Sequence, residues 1–355
     1  MMGETPAFIF KGLPTRVVFG RGGIQRAGAE IERLGRRHAL VLSTHRQAEQ
    51  ATVLAERLGA LAAGTYGKAT MHTPVDVTQD ALDVYRRCGA DCVVSLGGGS
   101  TTGLGKAIAA RTGADQVVIP TTYAGSEMTD ILGETAGAHK TTRRDPSILP
   151  ETVIYDVDLT LGLPVATSVT SGLNALAHAA EALYAPDRSP VVSLLAAEAC
   201  RALGRALPLI VAGPANLEAR SEALYAAWLC GAALGSSTMG LHHKLCHVLG
   251  GTFDLQHADT HAIMLPHTIG FNAVAAGVEL RPLAEIFGSP GAGLHAFARA
   301  LDAPTRLRDL GLSEGDLDEA AAIAVASPYA NPRPFTAGDI RTLLQEAWEG
   351  RPPPG

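Results

Sequence analysis

The apolar positions in the first half of the chain form short runs separated by amphipathic stretches. RVVFG, ALVLS (residues 39–43), DCVVSLGGG (residues 91–99) and DQVVIPTT (residues 115–122) are apolar runs of strand length. Residues 76–90 and 101–113 have helical period instead. Short apolar strands that alternate with helices predict a parallel sheet covered on both faces. The first half is therefore predicted to be an α/β domain.

The pattern changes after about residue 161. VATSVTSGLNALAHAAEALYA, SPVVSLLAAEACRALGRALPLIVA and LEARSEALYAAWLCGAALGSS are rich in Ala and Leu and have helical period. SEGDLDEAAAIAVAS and TAGDIRTLLQEAWEG carry acidic residues in their first turns, as helix N-termini favour. Because 355 residues suit two domains, we predict an α/β domain over residues 1–160 and an all-α domain over residues 161–355.

Composition narrows the possible partners and location. Hydrophobic residues make up 46% of the chain, charged residues 18%, and the net charge is -6. The mild negative charge argues against a nucleic-acid partner, and no apolar run reaches the length of a membrane span. The N-terminus lacks the pattern of a secretory signal, and the five scattered cysteines fit reduced thiols. We expect a cytoplasmic protein without a nucleic-acid or membrane partner.

A glycine-rich turn follows one predicted strand and begins a helix. Glycines there allow a pyrophosphate to approach the backbone, and the helix N-terminus presents N–H groups to it. This is not the GxGxxG fingerprint, and a turn that binds nothing would have the same glycines. The next strand ends in a hydroxyl-rich loop that should reach the same carboxyl edge of the sheet. The predicted contacts of a dinucleotide are Gly97, Gly98, Gly99, Ser100, Thr101, Thr121, Thr122 and Ser126.

The end of the ALVLS strand bears on the choice of dinucleotide. An acidic residue there would bind the ribose 2′-hydroxyl of NADH and repel the 2′-phosphate of NADPH. This chain has Thr44, followed by His45 and Arg46. Thr44 is therefore a predicted cofactor contact that does not exclude NADPH, and Arg46 is either a phosphate contact or a surface charge.

Histidines concentrate in the run LHHKLCHVLGGTFDLQHADTHAIMLPH, which spans residues 241–267. His243 and His247 are four residues apart, so they share a face of a helix. Asn174 and His178 have the same spacing in an earlier helix. So many imidazoles in an apolar stretch favour a polar pocket that uses them as metal ligands, proton donors or anion binders. Satisfied core histidines are the alternative.

Several motifs together make the chain similar to the iron-containing alcohol dehydrogenase superfamily. They are GGGSxxxxxK (residues 97–106), TTYAGSE (residues 121–127), DVDLTLGLP (residues 156–164) and H-x3-H-x-L-G-G-x5-H (residues 243–257). Within it, NALAHAAEALYA and the C-terminal NPRPFTAGDIRTLL resemble the maleylacetate reductase branch. This resemblance implies a dehydroquinate synthase-like architecture and a homodimer. It also implies reduction of maleylacetate to 3-oxoadipate with NADH or NADPH, in aromatic or chloroaromatic catabolism.

The resemblance also distributes roles among residues. Catalytic roles fall to His243, His247, His257 and His178; substrate binding falls to His242, Asn174 and Tyr123; and Lys140 joins the cofactor contacts. Metal-dependent relatives have Asp where this chain has Asn174 and Gly103, which argues against a metal. If Fe or Zn were bound, its ligands would be His178, His243 and His257 with Asn174. Glu181 is expected to be a structural carboxylate.

The expected chemistry does not require a metal. Hydride would add to the alkene carbon β to the ketone, and charge would appear on the ketone oxygen as an enolate. Imidazoles can donate to that oxygen and supply the proton. The candidate cations for binding the two substrate carboxylates are Lys140, Arg143, Arg144, His242 and Lys244. Two alternatives stay open: a metal-dependent NAD(P) alcohol or polyol dehydrogenase, and a non-catalytic nucleotide-binding protein.

Overall fold

The computed structural model describes residues 7–137, 139–327 and 329–353, without the side chains of residues 139 and 140. The chain divides into two units. The α/β unit contains Pro14–Pro164 and Pro214–Gly231. The helical unit contains Val165–Gly213 and Ala232–Gly355, with Met1–Leu13, as far as these are described. The α/β fold followed by a helical fold confirms the predicted class.

The sequence analysis placed a single domain boundary between residues 160 and 161, and the observed division is not continuous in sequence. Pro214–Gly231 returns to the α/β unit although its composition is that of a helical segment. There the buried Arg220 donates to the backbone oxygens of Pro214 at 3.0 Å and Leu163 at 3.0 Å. Helical period alone does not reveal which unit a helix packs in, so the sequence could not assign this segment.

Six parallel strands form the sheet of the α/β unit, in the order β1-β8-β5-β4-β2-β3. A separate antiparallel hairpin contains β6 and β7. The strands are β1 (Arg16–Phe19), β2 (Ala39–Leu42), β3 (Ala62–Tyr66), β4 (Cys92–Gly97), β5 (Asp115–Pro120), β6 (Ile131–Ala136), β7 (His139–Arg144) and β8 (Thr152–Tyr155). The central strands β2, β4 and β8 are buried along their whole length, as a parallel sheet covered on both faces requires.

Thirteen α-helices lie within the described residues. They are α1 (Ala27–Arg33), α2 (Ala48–Leu58), α3 (Val75–Arg87), α4 (Gly99–Thr112), α5 (Val165–Ala182), α6 (Pro190–Ala212), α7 (Leu217–Gly235), α8 (Leu241–Thr252), α9 (His257–Ala276), α10 (Arg281–Phe287), α11 (Ala292–Ala300), α12 (Asp316–Val325) and α13 (Ala337–Glu349). Short 3-10 turns connect several of them. Among the described helices, none is long and apolar enough to cross a membrane.

The DVDLTLGLP motif has a structural role at the end of β8. The two carboxylate oxygens of Asp156 accept from the backbone N–H of Gly22 at 2.9 Å and of Ile24 at 3.0 Å. One of them also accepts from the N–H of Asp158 at 3.1 Å. A buried carboxylate that pairs with three backbone donors satisfies its own hydrogen-bonding capacity and theirs. Asp156 therefore fixes the turn that precedes α1 to the sheet.

The helical unit is built around α5, α8 and α9. Helix α5 packs against α6 and α9, and α8 packs against α9. Almost all of α5 from Ser168 to Ala182 is buried, which its many alanines permit because small side chains allow close helix approach. Apolar residues of α8, α9, α12 and α13 form one core cluster. The packing of α5 on α9 and of α8 on α9 brings the polar residues of these three helices together inside the unit.

Candidate active site

The glycine turn between β4 and α4 leaves no room for a side chain at Gly97 or Gly98. Gly97 has φ 149, and a Cβ there would lie 2.6 Å from Thr101 Oγ1 and 2.7 Å from Gln47 Oε1. A Cβ on Gly98 would lie 2.9 Å from Thr122 Oγ1. No side chain caps the N-terminus of α4. The turn has the form of an anion cradle at a helix N-terminus, which fits the pyrophosphate of a dinucleotide.

The loop after β5 supplies a hydroxyl beside this cradle. Ser126 Oγ is buried without a hydrogen-bond partner among the described residues, and it lies 4.0 Å from where a Cβ on Gly99 would be. The loop itself is held by Lys106, which the sequence analysis assigned no role. Its Nζ donates to Ser126 O at 2.6 Å, Thr129 Oγ1 at 2.9 Å and Ile131 O at 3.0 Å. Burial lowers the pKa of Lys106 to about 7.

Some of the hydroxyls predicted to contact a dinucleotide are hydrogen-bonded within the protein. Thr101 is fully buried, and its Oγ1 donates to Gly98 O at 2.8 Å, so its side chain shapes the turn. At the end of β2, Thr44 Oγ1 donates to Gln47 Oε1 at 3.0 Å, and Gln47 Nε2 donates to Thr121 Oγ1 at 2.8 Å. This network joins the ends of β2 and β5. Arg46 is exposed, and no acidic residue follows β2 before α2 begins.

Tyr123 and the hairpin cations are placed differently from expectation. Tyr123 is fully buried, and its hydroxyl accepts from Arg220 Nη1 at 3.3 Å, so it belongs to the core of the α/β unit. Its predicted substrate contact stays a prediction. Arg143 and Arg144 are on β7 and pair with Glu134 at 3.9 Å and Asp130 at 3.2 Å. The side chain of Lys140 lies outside the described residues.

In the helical unit, a buried carboxylate begins a chain of imidazoles. Glu181 Oε1 accepts from the backbone N–H of His242 at 2.8 Å, so Glu181 caps the N-terminus of α8. Glu181 Oε2 lies 2.5 Å from His243 Nδ1, and His243 Nε2 lies 2.8 Å from His178 Nδ1. All three side chains are buried. Because a carboxylate can only accept, His243 donates through Nδ1, and a single hydrogen lies between His243 and His178.

A second imidazole chain runs from Thr268. His242 Nδ1 lies 2.9 Å from Thr268 Oγ1, and His242 Nε2 lies 2.9 Å from His261 Nδ1. Burial, together with the neighbouring imidazoles, holds the pKa of both His242 and His261 well below the usual range, so both rings are neutral. A neutral ring with both nitrogens engaged cannot bind a carboxylate as a cation. The substrate-binding role of His242 stays a prediction, and these contacts give it no cationic form.

The remaining predicted residues surround these chains. His257 is half-buried at the start of α9, and its ring centroid is 4.3 Å from that of His261. His247 is exposed, with its ring centroid 6.2 Å from that of His243. Asn174 is buried, and its Oδ1 has no partner among the described residues. The structure thus brings His178, His243 and His257 together with His261. The sequence analysis assigned no role to His261.

The donor atoms do not fit a metal ion shared by Asn174, His178, His243 and His257. His243 Nε2, the atom that it would offer to an ion, is hydrogen-bonded to His178. Asn174 contributes a neutral amide in place of a carboxylate. In the described part of the chain, the group with ligand atoms within 4.8 Å of one another is His242, Cys246 and His261. There, two nitrogens are hydrogen-bonded to each other, and burial keeps the Cys246 thiol pKa well above its usual range.

Comparison with known proteins agrees with this architecture. Residues 14–157 match the iron-containing alcohol dehydrogenase family, and residues 168–348 match its C-terminal region. The chain belongs to the iron-containing alcohol dehydrogenase family. It is 57% identical to maleylacetate reductase of Rhizobium sp. (strain MTP-10005), over 98% of this chain and 99% of the relative. It is 50% identical to maleylacetate reductase of Burkholderia cepacia, over 97% and 98% of the two chains.

Solved structures of the iron-containing alcohol dehydrogenase family superpose on the whole chain. The crystal structure of maleylacetate reductase from Agrobacterium tumefaciens has a TM-score of 0.95 and 58% identity, and it covers 98% of this chain and 99% of that one. The 1,3-propanediol oxidoreductase structure has a TM-score of 0.89 and 28% identity, covering 96% of this chain and 100% of the other. Members that differ widely in sequence therefore share this fold.

Gly103 is packed against Thr73, so position 103 has little room for a side chain. A Cβ on Gly103 would overlap Thr73 Oγ1. Thr73 itself has φ 46, a left-handed conformation that is uncommon outside glycine. An Asp at position 103 would require this segment to move. Any side chain at position 103 would meet the same contact with Thr73.

Proposed function

We propose that this protein is a maleylacetate reductase, which reduces the C=C bond of maleylacetate to give 3-oxoadipate in aromatic or chloroaromatic catabolism. The observation that carries the proposal is the 57% identity to a maleylacetate reductase over 98% of the chain. The glycine cradle of the α/β unit and the buried imidazole chains of the helical unit support it. When bound, reduced nicotinamide supplies a hydride to the alkene carbon β to the ketone.

The imidazole chain provides the proton that the reduction needs. As the hydride adds, the electron pair of the C=C bond moves into the carbonyl and leaves an enolate. His178 and His243 share one hydrogen between Nδ1 and Nε2, so an additional proton on the pair is delivered through His178 Nε2. His243 then passes its proton to His178 Nδ1. The proton reaches the carbon α to the ketone, and the carbonyl re-forms.

Glu181 keeps this pair ready to donate. Its carboxylate fixes the hydrogen on His243 Nδ1, which leaves His243 Nε2 directed at His178. This arrangement changes the expected roles: His178 becomes the proton donor and His243 transfers the proton.

The structural environment of Thr44 supports use of both NADH and NADPH. Its hydroxyl is bound to Gln47, and no carboxylate lies between the end of β2 and the start of α2 to repel a 2′-phosphate. We also propose that catalysis needs no metal, since the donor atoms of Asn174, His178, His243 and His257 do not fit one. A cytoplasmic homodimer is proposed as well, in line with five cysteines that form no disulfide.

The proposal is tested by following NADH and NADPH oxidation with maleylacetate, with and without a chelator. We expect turnover with both nucleotides and no loss after chelation. Turnover of alcohols or polyols that disappears on chelation and returns with Fe or Zn would favour a metal-dependent dehydrogenase. Tight NADH binding without any turnover would favour a nucleotide-binding protein without catalysis.

A further inference from the structure

His261 lies at the centre of the imidazole cluster. Its ring centroid is 4.8 Å from that of His242, 5.2 Å from His243 and 5.9 Å from His178. The residue is fully buried, yet its Nε2 has no hydrogen-bond partner among the described residues. A buried polar atom without a partner costs free energy unless a bound molecule supplies one. This nitrogen is therefore placed to meet a ligand.

The chain behind His261 controls which of its nitrogens carries the hydrogen. Thr268 Oγ1 donates to Met264 O at 2.9 Å, so it accepts from His242 Nδ1. His242 Nε2 then accepts from His261 Nδ1, and His261 Nε2 carries a lone pair. The Thr268 hydroxyl can instead donate to His242 Nδ1. In that case His242 Nε2 donates to His261 Nδ1, so both hydrogen bonds of the chain are reversed. His261 Nε2 then carries the hydrogen.

We propose that His261 is a further substrate-contacting residue, which donates from Nε2 to the ketone oxygen of the substrate as that oxygen becomes an enolate. Thr268 and His242 are positioning residues that set the tautomer of His261. The two arrangements contain the same number of protons, so the substrate can select one of them without net proton uptake. Exchange of the ring N–H hydrogens with water interconverts the two arrangements. This inference rests on the proposed reduction of maleylacetate.

The balance of hydrogen bonds explains why the substrate would make this selection. Without a ligand, the arrangement with Thr268 bonded to Met264 O has one more hydrogen bond and is favoured. An anionic oxygen at His261 Nε2 replaces that neutral bond with a charge-assisted one, which is stronger. The donor is thus formed where charge develops, in a buried site where such donors contribute most to the rate.

Two substitutions separate substrate contact from a purely structural role. His261→Gln keeps a donor near the position of Nε2 but loses the Nδ1 position, whereas His261→Asn keeps a donor near Nδ1 and loses Nε2. We expect His261→Asn to lower kcat by ~100-fold with little change in the KM for maleylacetate, and His261→Gln to recover part of that loss. A structural role as partner of His242 predicts the opposite order. His267→Asn, a buried histidine on the same helix, is the matched control and should keep kcat.

The tautomer can also be observed directly in the wild-type protein. In ¹⁵N-histidine NMR, with the His261 signals assigned from the two variants, we expect Nε2 to be unprotonated in the ligand-free protein and protonated with 3-oxoadipate bound. The ketone oxygen of 3-oxoadipate can only accept, so its lone pair would repel an unprotonated Nε2 and favours the tautomer that donates to it. An unchanged His261 tautomer, or a loss in His261→Asn confined to KM, would overturn the inference. If wild-type protein does not reduce maleylacetate, the proposed function fails, and the NMR titration with 3-oxoadipate still decides the role of His261.

Discussion

At the scale of single residues, the partners of each histidine decide its chemistry. His242 and His243 are adjacent in sequence, yet His243 is bonded to Glu181 and His178, and His242 to Thr268 and His261. One ring therefore belongs to a chain that begins at a carboxylate, and the other to a chain that begins at a hydroxyl. Helical spacing predicted that histidines would share a face, but it could not reveal these partners, which come from α5 and α9.

Replacement of Glu181 tests the carboxylate chain. Glu181→Gln removes the charge that fixes the hydrogen on His243 Nδ1, so we expect kcat with maleylacetate to fall by ~100-fold. The KM should change less, because Glu181 is fully buried behind His243. The matched control is Glu151→Gln, since Glu151 also accepts a backbone N–H, that of Gln116 at 2.7 Å, but lies in the α/β unit. Equal kcat in Glu181→Gln and wild type would contradict the relay.

Thr44 offers a second test at a single residue. A carboxylate at the end of β2 would repel the 2′-phosphate of NADPH and could accept from the ribose hydroxyl of NADH. We therefore expect Thr44→Asp to raise the KM for NADPH by ~10-fold, which corresponds to about 1.4 kcal/mol of repulsion. The KM for NADH should change little. Thr44→Asn, which adds no charge, is the control, and a similar effect of both substitutions would argue against an electrostatic cause.

At the scale of elements, the site in the α/β unit is formed by the ends of three strands and one helix. Strand β4 leads into the glycine turn and α4, β5 leads into the Ser126 loop, and β2 ends at Thr44. The sequence predicted β2, β4 and β5 and this gathering of loops, because parallel strands place their carboxyl ends at one edge. It did not predict the Lys106 contacts to the Ser126 loop, because the partners are backbone oxygens more than 19 residues away.

The glycine turn gives a prediction at this scale. A Cβ at Gly98 would press against Thr122 and narrow the approach to the α4 N-terminus. We expect Gly98→Ala to weaken NADH and NADPH binding by ~10-fold or more while the protein remains folded. Binding is measured by fluorescence titration of the nucleotide. Gly162→Ala is the control, since nothing lies within 4 Å of a Cβ there. Unchanged nucleotide binding in Gly98→Ala would rule out this turn as the phosphate site.

At the scale of the whole molecule, buried neutral histidines link stability to pH. Burial, with a smaller effect of His295, lowers the pKa of His267 from 6.5 to about 3. Between those pH values the unfolded chain binds a proton at this position and the folded protein does not. The free energy of unfolding therefore decreases as the pH falls from 6.5 towards 3. His242 and His261 act in the same direction, so the protein should be acid-labile.

Removal of His267 tests this linkage. His267→Leu eliminates one of these protonation sites, so the acid dependence of stability should weaken by up to about 1.4 kcal/mol per pH unit below pH 6.5. As the pH is lowered from 7 to 5, we expect the free energy of unfolding, measured by urea denaturation, to decrease less for the variant than for wild type. His45→Leu, which removes an exposed imidazole after β2, serves as the control. Parallel pH curves for His267→Leu and wild type would refute the assignment.

The sequence by itself determined the fold class and the family. Apolar period is a local property and the glycine turn is a local motif, so β2, β4, β5, α4, α5 and α6 could be predicted from the printed sequence. Tertiary structure alone decided which unit Pro214–Gly231 joins, that Tyr123 meets Arg220, and that His261 is central among the imidazoles. These facts depend on contacts between residues far apart in the chain. Side-chain partners set protonation and tautomer, and the packing of the helices sets the partners.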